Sequence, residues 1–388
     1  MLKILKNRTP LGWLQLKHDK LRLLTALSGI AFADILIFMQ LGFMNALFTT
    51  NTQYARKIKA DIVLTSIQAT NFNQPYTFPR RRLYQSLDIP GVESAEPVYI
   101  NSTNWRNPQT RERTSMSVVG FNPDSPAFDL PEVNSQLDKV KIPDTVLFDQ
   151  ASRGEYADVI AQVQEGKTVT TESERTTITI DGLFSVGASF ADDGTLITSQ
   201  QNFMRLFPRK QPSLVSLGLV NVEDGADVEQ VRTYLNNYLT DDVVAYTHAE
   251  FVEKELNYIK TSTAIGFVFS LGTAMGFIVG IVVVYQVLST DVNDHMAEYA
   301  TFKAMGYKNS YLLGVVFEEA IILSLIGFVP SVGIALGLYR LTAIATALPI
   351  FLPVSRAITV LIMTIVMCAI SGAIATRKLQ SADPADIF

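Results

Sequence analysis

The 388-residue sequence predicts a membrane protein of four transmembrane α-helices, with one large α+β domain inserted between the first and second. Three observations predict it. Four apolar runs are each long enough to cross about 30 Å of hydrocarbon. Charge is partitioned: residues 49–260 hold 20 Lys/Arg and 28 Asp/Glu, a net of −8, whereas the other 176 residues hold 12 and 9, a net of +3. Within 49–260, strand-like alternation and helical spacing follow one another.

Residues 1–22 carry Lys3, Lys6, Arg8, Lys17, Lys20 and Arg22 against Asp19 alone. With Leu11, Leu14, Leu21 and Leu24 among them and Trp13 suited to the headgroup zone, they fit an amphipathic helix on the membrane surface; a plain basic flank fits as well. The first span is 23–48. It is too long for a signal peptide and lacks a small-residue cleavage site. Asp34 and Gln40 lie within it, and a charge at that depth has to face protein or water.

Residues 261–290, the second span, contain no charged side chain. Gly272, Gly276 and Gly280 recur every four residues there, which lets another helix approach closely. The third span, 312–338, is interrupted by Glu318 and Glu319 and should bend at Pro330. The fourth, 357–376, is followed at once by Arg377 and Lys378. The stretch 339–356 reads as a short outer loop, 291–311 as a cytoplasmic segment, and 377–388 as a cytoplasmic tail. With four spans both termini share one side, and the basic residues concentrate there, so the positive-inside rule places both termini in the cytoplasm and 49–260 outside it.

The outer domain shows strand patterns at 61–67, 116–121, 176–184, 194–199 and 213–220, and a helical one at 227–239 with Val228, Val231, Leu235 and Leu239 in phase. Turn signals such as Pro90-Gly91 separate them. The length suggests an α+β domain of two lobes.

Several function classes are excluded. An acidic outer domain is unsuited to nucleic acid, which needs a basic stripe. One cysteine, Cys368, cannot form a disulfide within the chain, and with His18, His248 and His295 far apart no zinc spacing exists. Ala161, Gly166, Lys167 and Thr168 formally fit a relaxed phosphate-loop pattern. The preceding stretch is helical rather than a buried strand, so Gly166 reads as a helix terminator. No hydrolase motif occurs. These readings make the chain a non-enzyme.

The segment 289–316 carries the most information. Tyr299, Phe302 and Met305 fall three apart on a short helix, with Asp294 expected to cap its start and Gly306 its end. A short helix with an apolar face needs the membrane interface or a groove on a cytoplasmic partner to cover it.

Glu298, Phe302, Lys303, Ala304, Met305 and Gly306 resemble the E-x-x-x-[LF]-[KR]-A-[LM]-G motif of the FtsX/MacB-type permeases. That family also has four spans, a large outer domain between the first two, an acidic residue early in the third span (here Glu318 or Glu319), and an ending similar to DPADIF (383–388). The phrases 276–307, 377–388, 121–133 and 189–207 resemble the cyanobacterial DevC permeases more closely still. The resemblance implies a MacB-like, type VII ABC permease architecture. It implies a homodimer in the inner membrane that works with an ABC ATPase subunit, a periplasmic membrane-fusion protein and, indirectly, a TolC-like outer-membrane channel. ATP and Mg would bind the partner ATPase, with no cofactor in this chain. Export of an envelope lipid or glycolipid by mechanotransmission is the implied role. Glu298, Tyr299, Phe302, Lys303, Met305 and Gly306 are the implied ATPase-coupling residues. Two other roles in the superfamily are an FtsX-like regulator that activates a periplasmic cell-wall hydrolase without transport, and a lipoprotein-releasing permease.

Overall fold

The computed structural model describes residues 20–72, 75–173, 176–189, 191–262, 264–346 and 348–381. The expected N-terminal surface segment up to residue 19 and the DPADIF ending lie outside them. The chain forms two compact units.

One unit comprises residues 1–45, 265–344 and 350–388. Its described part is built from four long helices, Lys20–Lys57, Ala264–Asp294, Asn309–Thr346 and Val354–Ser381, and a short one, Met296–Ala304. Each long helix has a stretch apolar enough to cross a membrane. The shortest stretch, Val354–Thr376, has 23 residues; at about 1.5 Å per residue it still exceeds a 30 Å hydrocarbon layer. Small side chains are interleaved with larger ones in the core: Ala26, Ala33, Ala320 and Ala375 pack with Ile30, Val284, Leu288, Leu323 and Met367. Small residues let helices approach where lipid, as apolar as leucine, offers no hydrophobic drive. Outward faces are apolar too, as Phe267, Leu271, Met275, Ile278 and Val282 show on the second span.

Helix ends depart from the expected spans. The third helix runs on to Thr346, past 338, and the fourth begins at Val354. Residues 348–353 are what remains non-helical of the loop expected at 339–356. Pro349 and Pro353 interrupt the chain only there, because backbone hydrogen bonding continues unbroken through Tyr339. The first helix likewise continues past 48 to Lys57.

The second unit, Ala46–Ala264 with Ala345–Pro349, is an α+β domain. Its strands are β1 (Ile62–Ser66), β2 (Phe78–Pro79), β3 (Val92–Arg106), β4 (Arg113–Phe121), β5 (Thr145–Asp149), β6 (Val169–Ser173), β7 (Thr176–Phe184), β8 (Gly194–Ser199), β9 (Leu214–Val215), β10 (Leu217–Val222) and β11 (Val243–Thr247). Nine of them form one sheet in the order β11-β1-β10-β3-β4-β8-β5-β7-β6. The two lobes expected from length are thus not separated in the sheet; hydrogen bonding is continuous through β3, β4 and β8. Pairing is antiparallel except for β4 with β8 and β5 with β7.

Both sheet faces are buried. Ile62 and Leu64 of β1, Tyr99 of β3, Met116 and Val118 of β4 and Leu196 of β8 enter one core. Their neighbours Val63, Val98, Ile100, Val119, Phe121 and Ile197 enter the other. A strand alternates its side chains between faces, so burial on both sides calls for continuous apolar runs. The first face is covered by helices carrying Leu83, Val159, Phe203, Val231 and Leu235. The second is covered by Tyr54 and Ala55, at the end of the first helix, and by Phe251 of helix His248–Ser262. Gly166 has φ +80° and ends helix Ala157–Gln164 ahead of β6. A helix before the glycine and a strand after it is the reverse of a phosphate loop.

Candidate functional site

The short helix Met296–Ala304 follows the second span almost without a break. Its N-cap is His295, which makes no side-chain cap bond. Asp294, expected as the cap, instead ends the preceding helix, because a chain already helical at its entry leaves fewer unsatisfied N–H groups to cap. His295 lies between two carboxylates, with Nδ1 3.2 Å from Glu298 Oε2 and Nε2 3.8 Å from Asp291 Oδ1.

The far end is a Schellman turn. Tyr307 N donates to Phe302 O at 3.0 Å and Gly306 N to Lys303 O at 2.9 Å, while Gly306 adopts φ +88°. Only glycine takes that conformation without a Cβ penalty. The hydrophobic contact that accompanies such a turn is here Tyr307 on Phe302, with ring centroids 5.5 Å apart and planes at 79°. Tyr311 adds a third ring.

The predicted coupling residues do not share one face. Tyr299 is 1% exposed and packs on Val292 and Val316, whereas Met305 is 61% exposed. Phe302 and Lys303 are half-buried and Glu298 is exposed. A three-residue spacing falls short of a 3.6-residue turn and drifts by about 60° per step, so Tyr299 faces inward while Met305, just past the helix end, faces out. The outward surface includes Glu298, Met305 and Tyr307, with Ala297, Thr301 and Lys308 also exposed. Tyr307 was not singled out in the sequence; its place after Gly306 is the signal that could have found it.

Within the helical bundle, Asp34 is fully buried and accepts from Thr364 Oγ1 at 2.7 Å and Ser331 Oγ at 3.1 Å. It therefore ties the first, third and fourth helices together. Glu319 is buried and Glu318 half-buried. The glycines of the second span turn to the first: Gly272 lies against Gln40, Gly276 against Ile37, and Gly280 against Ala33 and Met367. Tyr339 donates to Phe38 O, and Arg356, also buried, reaches Phe351 O at 2.8 Å and the Tyr339 ring. Sequence reading missed this last group, since only folding brings residues 38, 339 and 356 together.

Two family descriptions match the chain. The MacB-like periplasmic core domain covers residues 23–238, and the FtsX-like permease C-terminal domain covers 264–384. Among solved structures, the periplasmic region of MacB from Actinobacillus actinomycetemcomitans is 10% identical, with a TM-score of 0.34, covering 54% of this chain and 96% of that one. The extracellular domain of the ABC-type transporter YknZ from Gram-positive bacteria is 12% identical, with a TM-score of 0.31, covering 48% and 99%. No curated protein matches the sequence. Since the first family match alone spans more than half of the residues and the second takes up the helices that follow it, the chain belongs to the FtsX/MacB family of ABC-transporter permeases, multi-pass membrane proteins that work with an ABC ATPase and are not enzymes themselves.

Proposed function

We propose that the chain is the permease subunit of a tripartite exporter in the inner membrane. In this reading both termini are cytoplasmic and residues 49–260 are periplasmic. Two copies of the chain pair with two ATPase subunits that bind ATP and Mg. The outer domain meets a periplasmic membrane-fusion protein, and through it a TolC-like channel. ATP-driven closure of the ATPase pair moves helix Met296–Ala304, the spans carry that motion outward, and the outer domain drives an envelope lipid, glycolipid or similar cargo onward. The observation that carries the reading is the union of the two family domains in one chain.

The ATPase contact is assigned to Glu298, Met305 and Tyr307, with Phe302, Lys303 and Gly306 shaping the turn that presents them. Tyr299 supports the helix from within. Met305→Asp should abolish stimulation of the partner's ATPase while moving stability by no more than about 0.5 kcal/mol, as for other exposed substitutions. Unaltered stimulation would remove the assignment. Affinity purification of the full chain from gently solubilised native membranes tests the larger reading. Recovery of an ATPase with a periplasmic fusion protein supports the exporter. Recovery of an ATPase with a cell-wall hydrolase would replace it by the FtsX-like regulator.

A further inference from the structure

The outer domain contains two buried carboxylates on either side of one aromatic stack. Glu255 lies on helix His248–Ser262, which leads toward the second span, and is 1% exposed. Its Oε2 accepts from the backbone N–H of Phe72 at 2.8 Å, and its other oxygen has no hydrogen-bond partner among the described residues. Phe72 stacks on Tyr54, with centroids 5.9 Å apart and planes at 6°. Tyr54 stands near the outer end of the helix that carries the first span, and donates to Asp149 Oδ2 at 3.2 Å. Asp149, at the end of β5, also accepts from Ala151, Val186 and Gly187 N–H at 2.8–3.1 Å. Gln53 donates to Gly187 O at 2.8 Å, and His248 Nε2 lies 3.0 Å from Ala55 O.

A buried carboxylate is costly, and a single peptide N–H offsets only part of that cost. The fold nevertheless buries Glu255 with one donor, and Asp149 with four, on either side of the Tyr54–Phe72 stack. We propose that Glu255, Phe72, Tyr54 and Asp149 form a clamp that makes the far end of helix Lys20–Lys57 and helix His248–Ser262 move as one body with the nine-stranded sheet. This rests on the exporter reading, in which those helices carry motion outward. The clamp is stiff because its links are short. A relative slide of about 1 Å would stretch a 2.8 Å hydrogen bond past its useful range. These are positioning residues; none of them meets cargo.

The test uses the full chain in lipid nanodiscs with its partner ATPase. Spin labels are attached at Arg56→Cys and Asn257→Cys, both exposed, in a Cys368→Ala background. Pulsed EPR reads the label distance without nucleotide and with ATP plus vanadate. The unmodified clamp should give one narrow distance in both states. Glu255→Ala should broaden and shift that distance when nucleotide is bound, with ATP turnover retained. Glu255→Gln keeps an acceptor for Phe72 and should restore the narrow distance. Where Glu255→Ala does not fold, Tyr54→Phe, which loses the Asp149 link but keeps the stack, replaces it with a smaller broadening expected. A wild-type distance that separates on nucleotide binding, or variants as narrow as wild type, would overturn the proposal. If the unmodified chain does not recruit the ATPase at all, the exporter reading falls and the proposal with it; if it does and the variants behave as wild type, only the proposal falls.

Discussion

The two units bury carboxylates differently. Asp149 sits among strands and loops, where backbone N–H groups are free to be aimed, and takes three of them besides the Tyr54 hydroxyl. Asp34 sits among helices, where every interior N–H is already committed to a carbonyl four residues back. It takes only two hydroxyls, and each shares its single proton with its own helix: Ser331 Oγ also reaches Gly327 O at 2.6 Å, and Thr364 Oγ1 reaches Val360 O at 2.8 Å. A sheet domain can solvate a buried charge with its backbone. A helical bundle must supply side chains for the purpose, so its polar residues are few and spread over several helices.

Asp149→Ala should have the largest effect. It strands three backbone donors and should cost about 3–5 kcal/mol, read as lost thermal stability of the outer domain in the detergent-solubilised chain. A loss below about 1 kcal/mol would mean that water reaches the site and the contrast between the units is overdrawn. Thr364→Val keeps the shape and removes one of Asp34's two donors. It should cost about 1–3 kcal/mol of bundle stability, and an effect as large as that at Asp149 would erase the distinction.

Glu255 sharpens the comparison from the other side, because a single peptide N–H serves it. Burial raises its pKa from 4.5 to about 7, with the Phe72 hydrogen bond and the neighbouring Lys254 charge acting against the shift. Desolvation in turn pushes Lys254 below its usual value. A raised pKa on an acid means that the folded state binds the proton more tightly than the unfolded one. This group therefore lowers stability as pH climbs from about 4.5 to about 7, and its cost is complete above that. Glu255→Gln should stabilise the domain at pH 8 by about 1–2 kcal/mol and flatten its melting temperature between pH 5 and 8. A Gln variant with the wild-type pH slope would place the titration elsewhere. The smallest expected effect is that of Met305→Asp on stability, since that residue lies outside both cores.

How far the sequence could be read follows from where each element gets its stability. β7 and β8 match the expected strands at 176–184 and 194–199, because each carries its own apolar alternation or run. β3 was not foreseen. Its 15 residues include Pro97, Ser94, Asn101 and Asn104, and they become a strand because β10 and β4 pair with them on either side. The four apolar runs were legible because hydrocarbon imposes a length, but their ends were not, since a helix can continue in water beyond the membrane. At helix Met296–Ala304, residue types and the glycine stop were readable. The inward turn of Tyr299 was not, because it depends on Val316 of another helix. The partners of Asp34 lie 297 and 330 residues away, and no local pattern announces a contact of that range.

The position of β1 in the sheet has a consequence for biogenesis. Ile62 pairs with Val220 on one side and Thr247 on the other, so a strand made early is completed only by strands made late. At roughly 5–20 residues per second, β1 waits on the order of ten seconds after synthesis before β11 exists. During that interval its apolar side chains and both of its hydrogen-bonding edges are open to the wrong neighbour. The yield of the nascent sheet domain should therefore depend on protection during synthesis more than that of the membrane helices does.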